Sequence, residues 1–394
     1  MLAAALLAVA LLVAWPGPPQ ANELRRNMPF LRAMLMGDAT VAVGDEASTM
    51  LYNPAGLARL EDDSIEIFTL QFSSDKDLSR VLLEGEETST LYENWSLNDL
   101  NSAIGTTLNM EWALRMPIIT DVERGRAYGL GVDYLFDLEI VPDGLLAAVE
   151  LETFFDEIVF TSFFKQIGGL SVGANVKYIN RIGLHKQIDA LTMFATGFAS
   201  GDLDLENDAD YAAMVSGQKS YSKIGVDLGM IWELGFAEDW HPRFGVTALN
   251  IGSYDKDEKK WKGIEFGVRR NRDDPPLGGE LPLNVSAGIA VSPTFANIRT
   301  TFALDMVDIG RTAIEGDSRN NRTRLGVELG FGPHEDGTAL FSVLFGWNAT
   351  HFSTGILSRV WIMEIGFGRY IVERGSEPGK QPEERRTVII GFRW

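Results

Sequence analysis

The sequence predicts an all-β protein, a transmembrane antiparallel β-barrel of about fourteen strands. Three observations predict it. After residue 60 the hydrophobic period is two, not 3.6. The connections between the alternating runs are long and short by turns. The chain ends on an amphipathic run, Thr387 to Trp394, whose last residue is aromatic.

Composition bounds the alternatives. The chain has 394 residues, 45% of them hydrophobic, with 40 Gly, 4 His, no Cys and a net charge of −20. A solid soluble domain rarely exceeds roughly 250–300 residues. A barrel of this length is one domain, because the chain is a closed wall and not a filled core. The ordinary apolar fraction excludes intrinsic disorder. Without cysteine there is no disulfide framework and no thiolate metal site. An acidic chain is repelled by phosphates, which excludes nucleic acid as a partner. Few histidines and no metal-ligand spacing leave no cofactor to expect.

In chain order, Leu2 to Ala14 is an uncharged apolar run broken by Pro16, Pro18 and Pro19, with a small-residue cleavage site at Gln20-Ala21. It has the length of a secretory h-region and is too short to span a bilayer. Residues 1–21 are therefore expected to be a cleaved signal, the alternative being a retained anchor or buried helix. No Lys or Arg precedes Arg25, so the usual basic n-region is missing.

Strands are expected near 64–73, 107–117, 126–137, 156–167, 170–181, 223–234, 242–251, 281–292, 298–308, 322–332, 338–348, 352–358, 360–370 and 386–394. Ile224, Val226, Leu228, Met230, Trp232 and Leu234 oppose Lys223, Gly225, Asp227, Gly229 and Glu233. Leu325, Val327, Leu329 and Phe331 oppose Arg324, Gly326, Glu328 and Gly330. The first, fourth and twelfth runs alternate poorly. The long connections are 74–106, 138–155, 182–222, 252–280, 309–321 and 371–385. Ala349-Thr350 is a short connection where a long one is expected. On the closing run, Val388, Ile390, Phe392 and Trp394 share the outward face.

Ahead of the first strand the chain reads Gly37-Asp38-Ala39-Thr40-Val41-Ala42-Val43-Gly44-Asp45-Glu46, then Tyr52-Asn53-Pro54-Ala55-Gly56-Leu57-Ala58. Asn53-Pro54 is a turn signal, and Asp45 to Tyr52 suits a short helix before it. This segment resembles the N-terminal segment of the FadL-like superfamily of long-chain fatty-acid transporters, and more closely its PorV-like branch. Gly169 to Tyr178, Ala248 to Gly252 and Leu281 to Gly288 resemble further parts of that family. The resemblance implies a 14-stranded outer-membrane barrel with residues 22–62 folded inward as a hatch and residues 63–394 forming the wall. It implies a hatch motif of Asn53, Pro54, Ala55, Gly56 and Leu57. It also implies passive transport or accommodation of hydrophobic small molecules. The alternative it carries is an accessory or scaffold barrel for a secretion or surface-protein assembly.

The strand register points Glu111, Arg115, Lys177, Arg181, Asp227, Glu233, Arg243, Asp305, Arg324, Glu328 and Glu364 into the lumen. Arg115, Lys177 and Arg243 are the candidates for contact with a ligand headgroup. The surplus glycines on the inward faces leave room for a hatch or a narrow conduit. His351 and Ser353 share one face of a strand, the spacing of a His–Ser esterase, so a lipid esterase is the minor alternative. No group that would orient His351 is identifiable, and the chain is expected not to be an enzyme. The acidic stretches Asp202–Asp210 and Asp255–Glu258 read as solvated loops. Lys259-Lys260-Trp261-Lys262 is a basic patch that suits lipopolysaccharide phosphates or another protein. Outer-membrane lipid and lipopolysaccharide are the expected surroundings.

Overall fold

The computed structural model describes residues 30–75, 107–143, 146–189, 219–255, 260–262, 283–295, 298–309, 322–333, 339–348, 351–373 and 382–394. The expected signal, the acidic stretch 202–210 and Lys259 lie outside the described residues.

Fourteen long strands form one closed antiparallel barrel. They are β1 (Ser64–Asp75), β2 (Thr107–Asp121), β3 (Arg126–Asp143), β4 (Leu146–Ile167), β5 (Leu170–Asp189), β6 (Lys219–Glu233) and β7 (Arg243–Asp255). The second half comprises β8 (Asn284–Val291), β9 (Ile298–Met306), β10 (Thr323–Pro333), β11 (Ala339–Asn348), β12 (His351–Val360), β13 (Met363–Glu373) and β14 (Pro382–Arg393). Each strand pairs with its sequence neighbours, and β14 pairs with β1 to close the ring. Two short extended pieces, Lys260–Lys262 and Thr294–Phe295, add to β7 and β9. No helix among the described residues is long and apolar enough to cross a membrane.

The outer face is apolar. Val176 on β5, Leu228 and Trp232 on β6, Ile356 on β12, Phe367 on β13, and Val388 and Ile390 on β14 are all exposed. Such side chains at successive outward positions are the face a barrel turns to hydrocarbon. The inner face is polar, with Ser171, Asn175, Lys177, Asp227, Asp305, Arg324 and Glu328 all buried. One end of the barrel carries both ends of the wall, Ser64 and Arg393, and the connections after β2, β4, β6, β8, β10 and β12. It is called the turn end below, and the other the loop end.

The expected long connection 138–155 is corrected. Strand β3 runs on to Asp143 and β4 starts at Leu146, with eighteen residues in β3 and twenty-two in β4. Their pairing is continuous from Arg126↔Phe163 to Asp143↔Leu146. Asp143-Gly144 in the sequence is a tight-hairpin signal. Strand β5 also extends further than expected, to Asp189.

The poor alternation of the first run has a physical cause. Pairing of β1 with β14 shifts register between Glu66 and Phe68. Glu66 is buried below the shift, whereas Thr69, Gln71 and Ser73 are buried above it, so the parity of the inward face changes. The same change occurs next door on β2, whose pairing with β3 shifts between Arg115 and Ile118. Pro117 lies inside that shift and has no N–H to donate to a neighbour. In β4 the alternation is masked because both faces are apolar. Phe154, Ile158, Phe160 and Phe164 face in, while Val159 and Phe163 face out.

Candidate functional site

The lumen holds residues 30–60. This segment contains a short helix α1 (Leu31–Leu35) and two single-turn 3₁₀ helices, Ala47–Leu51 and Pro54–Arg59. Leu35, Met36, Ala39, Ala42, Met50, Asn53, Ala55 and Leu57 have no exposed surface. Such burial is far beyond what five- and six-residue helices could keep on propensity alone. The wall supplies it from all sides. Helix α1 packs against β11 to β14, and Pro54–Arg59 packs against β4, β5 and β6.

The wall meets the segment with glycine. A Cβ at Gly173 would strike Pro54, one at Gly229 would strike Asn53 Oδ1, and one at Gly245 would strike Val41. On the other side Gly326 lies against Met36, Gly346 against Gly37 and Gly366 against Leu31. The inward glycines therefore make room for a second layer of chain, and the segment's backbone approaches the wall more closely than any Cβ permits. Gly37 itself has φ +60 and its missing Cβ faces the Trp347 backbone, so both its conformation and its space require glycine.

Asn53 is the centre of one anchor. Its Nδ2 donates to Val41 O at 2.7 Å, with longer contacts to Met230 O (3.3 Å) and Val246 O (3.4 Å) on the wall. Its Oδ1 accepts from Ala55 N at 3.2 Å, capping the Pro54–Arg59 turn, and Thr49 Oγ1 donates to its carbonyl at 3.0 Å. Pro54 sits at the first helical position, where a missing N–H costs nothing. Gly56 lies against Gly44 and Thr49, folding the segment back on itself. Leu57 joins an apolar cluster with Met50, Ile118, Phe160 and Phe164.

The other anchor is charged and includes a residue that sequence reasoning missed. Arg32 on α1 bonds Asp45 at 2.5 Å and Glu328 of β10 at 2.5 Å. Glu46 bonds Arg359 of β12 at 2.8 Å, and Arg359 also holds Glu364 of β13 at 2.6 Å. Burial by itself would raise the Asp45 carboxyl, but Arg32 and Arg299 beside it outweigh that and hold it well below the usual carboxylate range. Burial likewise works against the Arg32 charge, and Asp45, Glu328 and Glu46 overcome it and push its pKa up. A lone arginine in the otherwise apolar run Phe30 to Met36 was the available signal. A cavity of about 400 Å³ reaches this network from the turn end, between Glu61–Ser64 and Trp394, and is lined by Arg32, Asp45, Glu46, Glu328 and Arg359.

The three candidate ligand contacts all point inward but do not converge. Arg115 is 1% exposed, stacks over the Phe30 ring at 3.8 Å and faces Glu66 at 3.6 Å. Lys177 pairs with Asp227 at 2.9 Å. Arg243 donates to Ser292 Oγ at 2.5 Å. Further inward charges also pair: Arg181 with Asp156 at 2.6 Å, Glu233 with Arg59 at 2.9 Å and Glu111 with Arg385 at 3.8 Å. His351 and Ser353 do share the inward face of β12, and both are buried. Ser353 Oγ donates to Leu35 O at 3.1 Å, so that hydroxyl is an anchor for α1 and is covered by it.

No family model matches the sequence, and no curated protein matches it. Among solved structures, it is similar to the Pseudomonas putida toluene transporter TodX, with 9% identity, TM-score 0.48, and coverage of 94% of this chain and 99% of that one. The Ralstonia pickettii toluene transporter TbuX gives 11% identity, TM-score 0.47, and coverage of 92% and 97%. A Pseudomonas aeruginosa FadL homologue gives 11% identity, TM-score 0.46, and coverage of 96% and 99%.

Proposed function

We propose that this chain is an integral outer-membrane barrel, exported through a cleaved signal, that lets hydrophobic small molecules pass passively, with residues 22–62 as its hatch. One observation carries the reading. Residues 30–60 occupy the bore beside inward wall side chains such as Arg115, Phe160 and Arg324, and the wall meets that segment with glycine at Gly173, Gly229, Gly245, Gly326, Gly346 and Gly366. A lumen meant to be permanently solid would fill itself with large side chains from the strands. Withdrawing the segment leaves a bore, and the conformation described here is the closed one.

The paired register shifts support a sideways exit. Glu66 pairs with Ile118 and Thr69 with Arg115, which leaves Ile67–Phe68 and Met116–Pro117 facing each other across an interrupted ladder. On the lipid side Ile67 and Met116 are exposed, and on the lumen side lie Arg115 and Phe30. Of the three candidates, Arg115 is the one placed to meet a polar headgroup on that route. Lys177 and Arg243 bond to other wall residues, Asp227 and Ser292.

The test is uptake of the hydrophobic dye N-phenylnaphthylamine by cells carrying the full chain, a chain deleted of residues 30–60, or no barrel. Transport predicts faster uptake with the full chain than without it, and faster still with the deletion. Uptake at the barrel-free rate in both, with the barrels folded and inserted, overturns it.

A second reading, an accessory barrel in a secretion assembly, is supported by the turn end. Trp361 is 83% exposed at the β12–β13 turn and Trp394 is 74% exposed nearby, beside the exposed run Glu61-Asp62-Asp63. A photocrosslinking residue at Trp361 that captures a defined membrane complex, together with no uptake by the full chain, selects that reading.

A further inference from the structure

We propose that Arg32, Glu46, Glu328 and Arg359 form an exchangeable ion-pair latch that frees the α1 half of the lumenal segment from the turn end while the Asn53 half stays seated. The inference rests on the reading above that the segment moves.

The pairs divide between segment and wall. Two short ones cross, Arg32 to Glu328 and Glu46 to Arg359, beside a longer one, Asp45 to Arg299 at 3.5 Å. Each arginine of the short pairs has a second partner on its own side. Arg32 keeps Asp45 of the segment at 2.5 Å, and Arg359 keeps Glu364 of the neighbouring strand at 2.6 Å. Breaking a buried pair is costly when it leaves a charge uncompensated. Here neither guanidinium is left alone when the crossing pairs part. The carboxylates that lose a partner, Glu46 and Glu328, both line the turn-end cavity, where water and ions take over. The same cavity explains how salt reaches pairs whose side chains are only 7–13% exposed.

The Asn53 half is built otherwise. Its links to the wall are the Asn53 amide to the Met230 and Val246 carbonyls, the Gly173 and Gly229 seats, and one ion pair, Arg59 to Glu233 at 2.9 Å. Only that pair responds to ionic strength. The two halves are joined in the chain through Thr40 to Gly44, where Val43 N bonds Thr40 O in a single turn, and they touch where Phe30 N donates to the Tyr52 hydroxyl at 2.8 Å.

The absence of native cysteine makes the test clean. Ala33→Cys reports on the α1 half and Ala58→Cys on the Asn53 half, with Ala33 3% and Ala58 7% exposed in the seated state. Each is placed in the full chain, reconstituted in nanodiscs, and labelled with a membrane-impermeant maleimide. Raising salt from low ionic strength to about 1 M should speed labelling at Ala33→Cys by roughly tenfold, as expected for weakening charge-assisted bonds. Labelling at Ala58→Cys should change by much less, because only the Arg59–Glu233 pair is screened there and the Asn53 amide and its glycine seats remain. Glu46→Gln and Glu328→Gln leave both arginines with their own partners. Each should raise Ala33→Cys labelling at low salt by roughly tenfold and flatten its salt dependence. Leu35→Ala is the control for motion without the latch. If Leu35→Ala speeds labelling at Ala33→Cys but salt and both glutamine variants do not, the latch is wrong and the mobile segment stands. If none of them speeds it, the segment does not move and both readings fall.

Discussion

The two halves of the lumenal segment are seated by different physics. Around Asn53 a neutral amide is directed at backbone carbonyls of segment and wall, beside a single ion pair, Arg59 to Glu233, so the contacts set one geometry. Around α1 they are aliphatic side chains in glycine seats plus ion pairs that have alternatives. Leu31 and Leu35 lie against Gly366, Gly355 and Gly368, and Arg32 sits between its two carboxylates. The difference teaches that occupancy of a lumen and permanence of that occupancy are separate properties. The first comes from wall glycines, which are on both sides. The second comes from whether a contact, once broken, leaves a group with nowhere to go.

Breaking the α1 seat should have the largest effect. Leu35→Ala removes a side chain with no exposed surface from the cluster of Leu31, Met36, Leu344 and Leu357. It should cost about 2–5 kcal/mol of docking. Limited proteolysis should then cut the α1 half while the wall survives. Asn53→Ala should come next, at about 2–3 kcal/mol, because it strips the partner from the buried Val41 carbonyl and removes the cap on Ala55. Its signature is accelerated labelling at Ala58→Cys. Ser353→Ala deletes one hydroxyl bond to Leu35 O and should cost about 1 kcal/mol, with a slight rise at Ala33→Cys alone.

The smallest expected effect is that of mild acid. The Asp45 carboxyl is held low in the folded chain, so its contribution is fully present above the ordinary carboxylate range and is lost only as pH falls below it. Between about pH 8 and pH 5 the labelling rate at Ala33→Cys, corrected for the reagent's own pH dependence, should stay flat. A rise within that window would mean that Asp45 is not held by Arg32.

The barrel was legible because the two sides of its wall face opposite media. Lipid outside and polar groups or glycine inside force a period of two, as Ile224 to Met230 shows residue by residue, with Ile231 the exception. The inward placement of Arg115, Lys177, Asp227 and Glu328 followed from that parity. The long β3–β4 hairpin did not emerge, because its turn signal, Asp143-Gly144, sits beside Pro142 in a stretch that reads as loop. The parity changes at Ile67–Phe68 and Met116–Pro117 were also hidden, since a bulge looks in sequence like weak alternation. Arg32 escaped because strand parity says nothing about a segment outside the wall. The Asn53-Pro54-Ala55-Gly56-Leu57 box was found, but its partners Gly173, Gly229, Met230 and Val246 lie more than a hundred residues away, and only the fold brings them together.

The central claim is that residues 30–60 close a bore that the wall leaves open. Single-channel conductance in planar bilayers tests it most directly, comparing the full chain with a folded barrel deleted of residues 30–60. The account predicts that the full chain is closed with brief openings and that the deleted barrel conducts persistently. A deleted barrel that conducts no more than the full chain would contradict it, because the wall would then fill its own lumen.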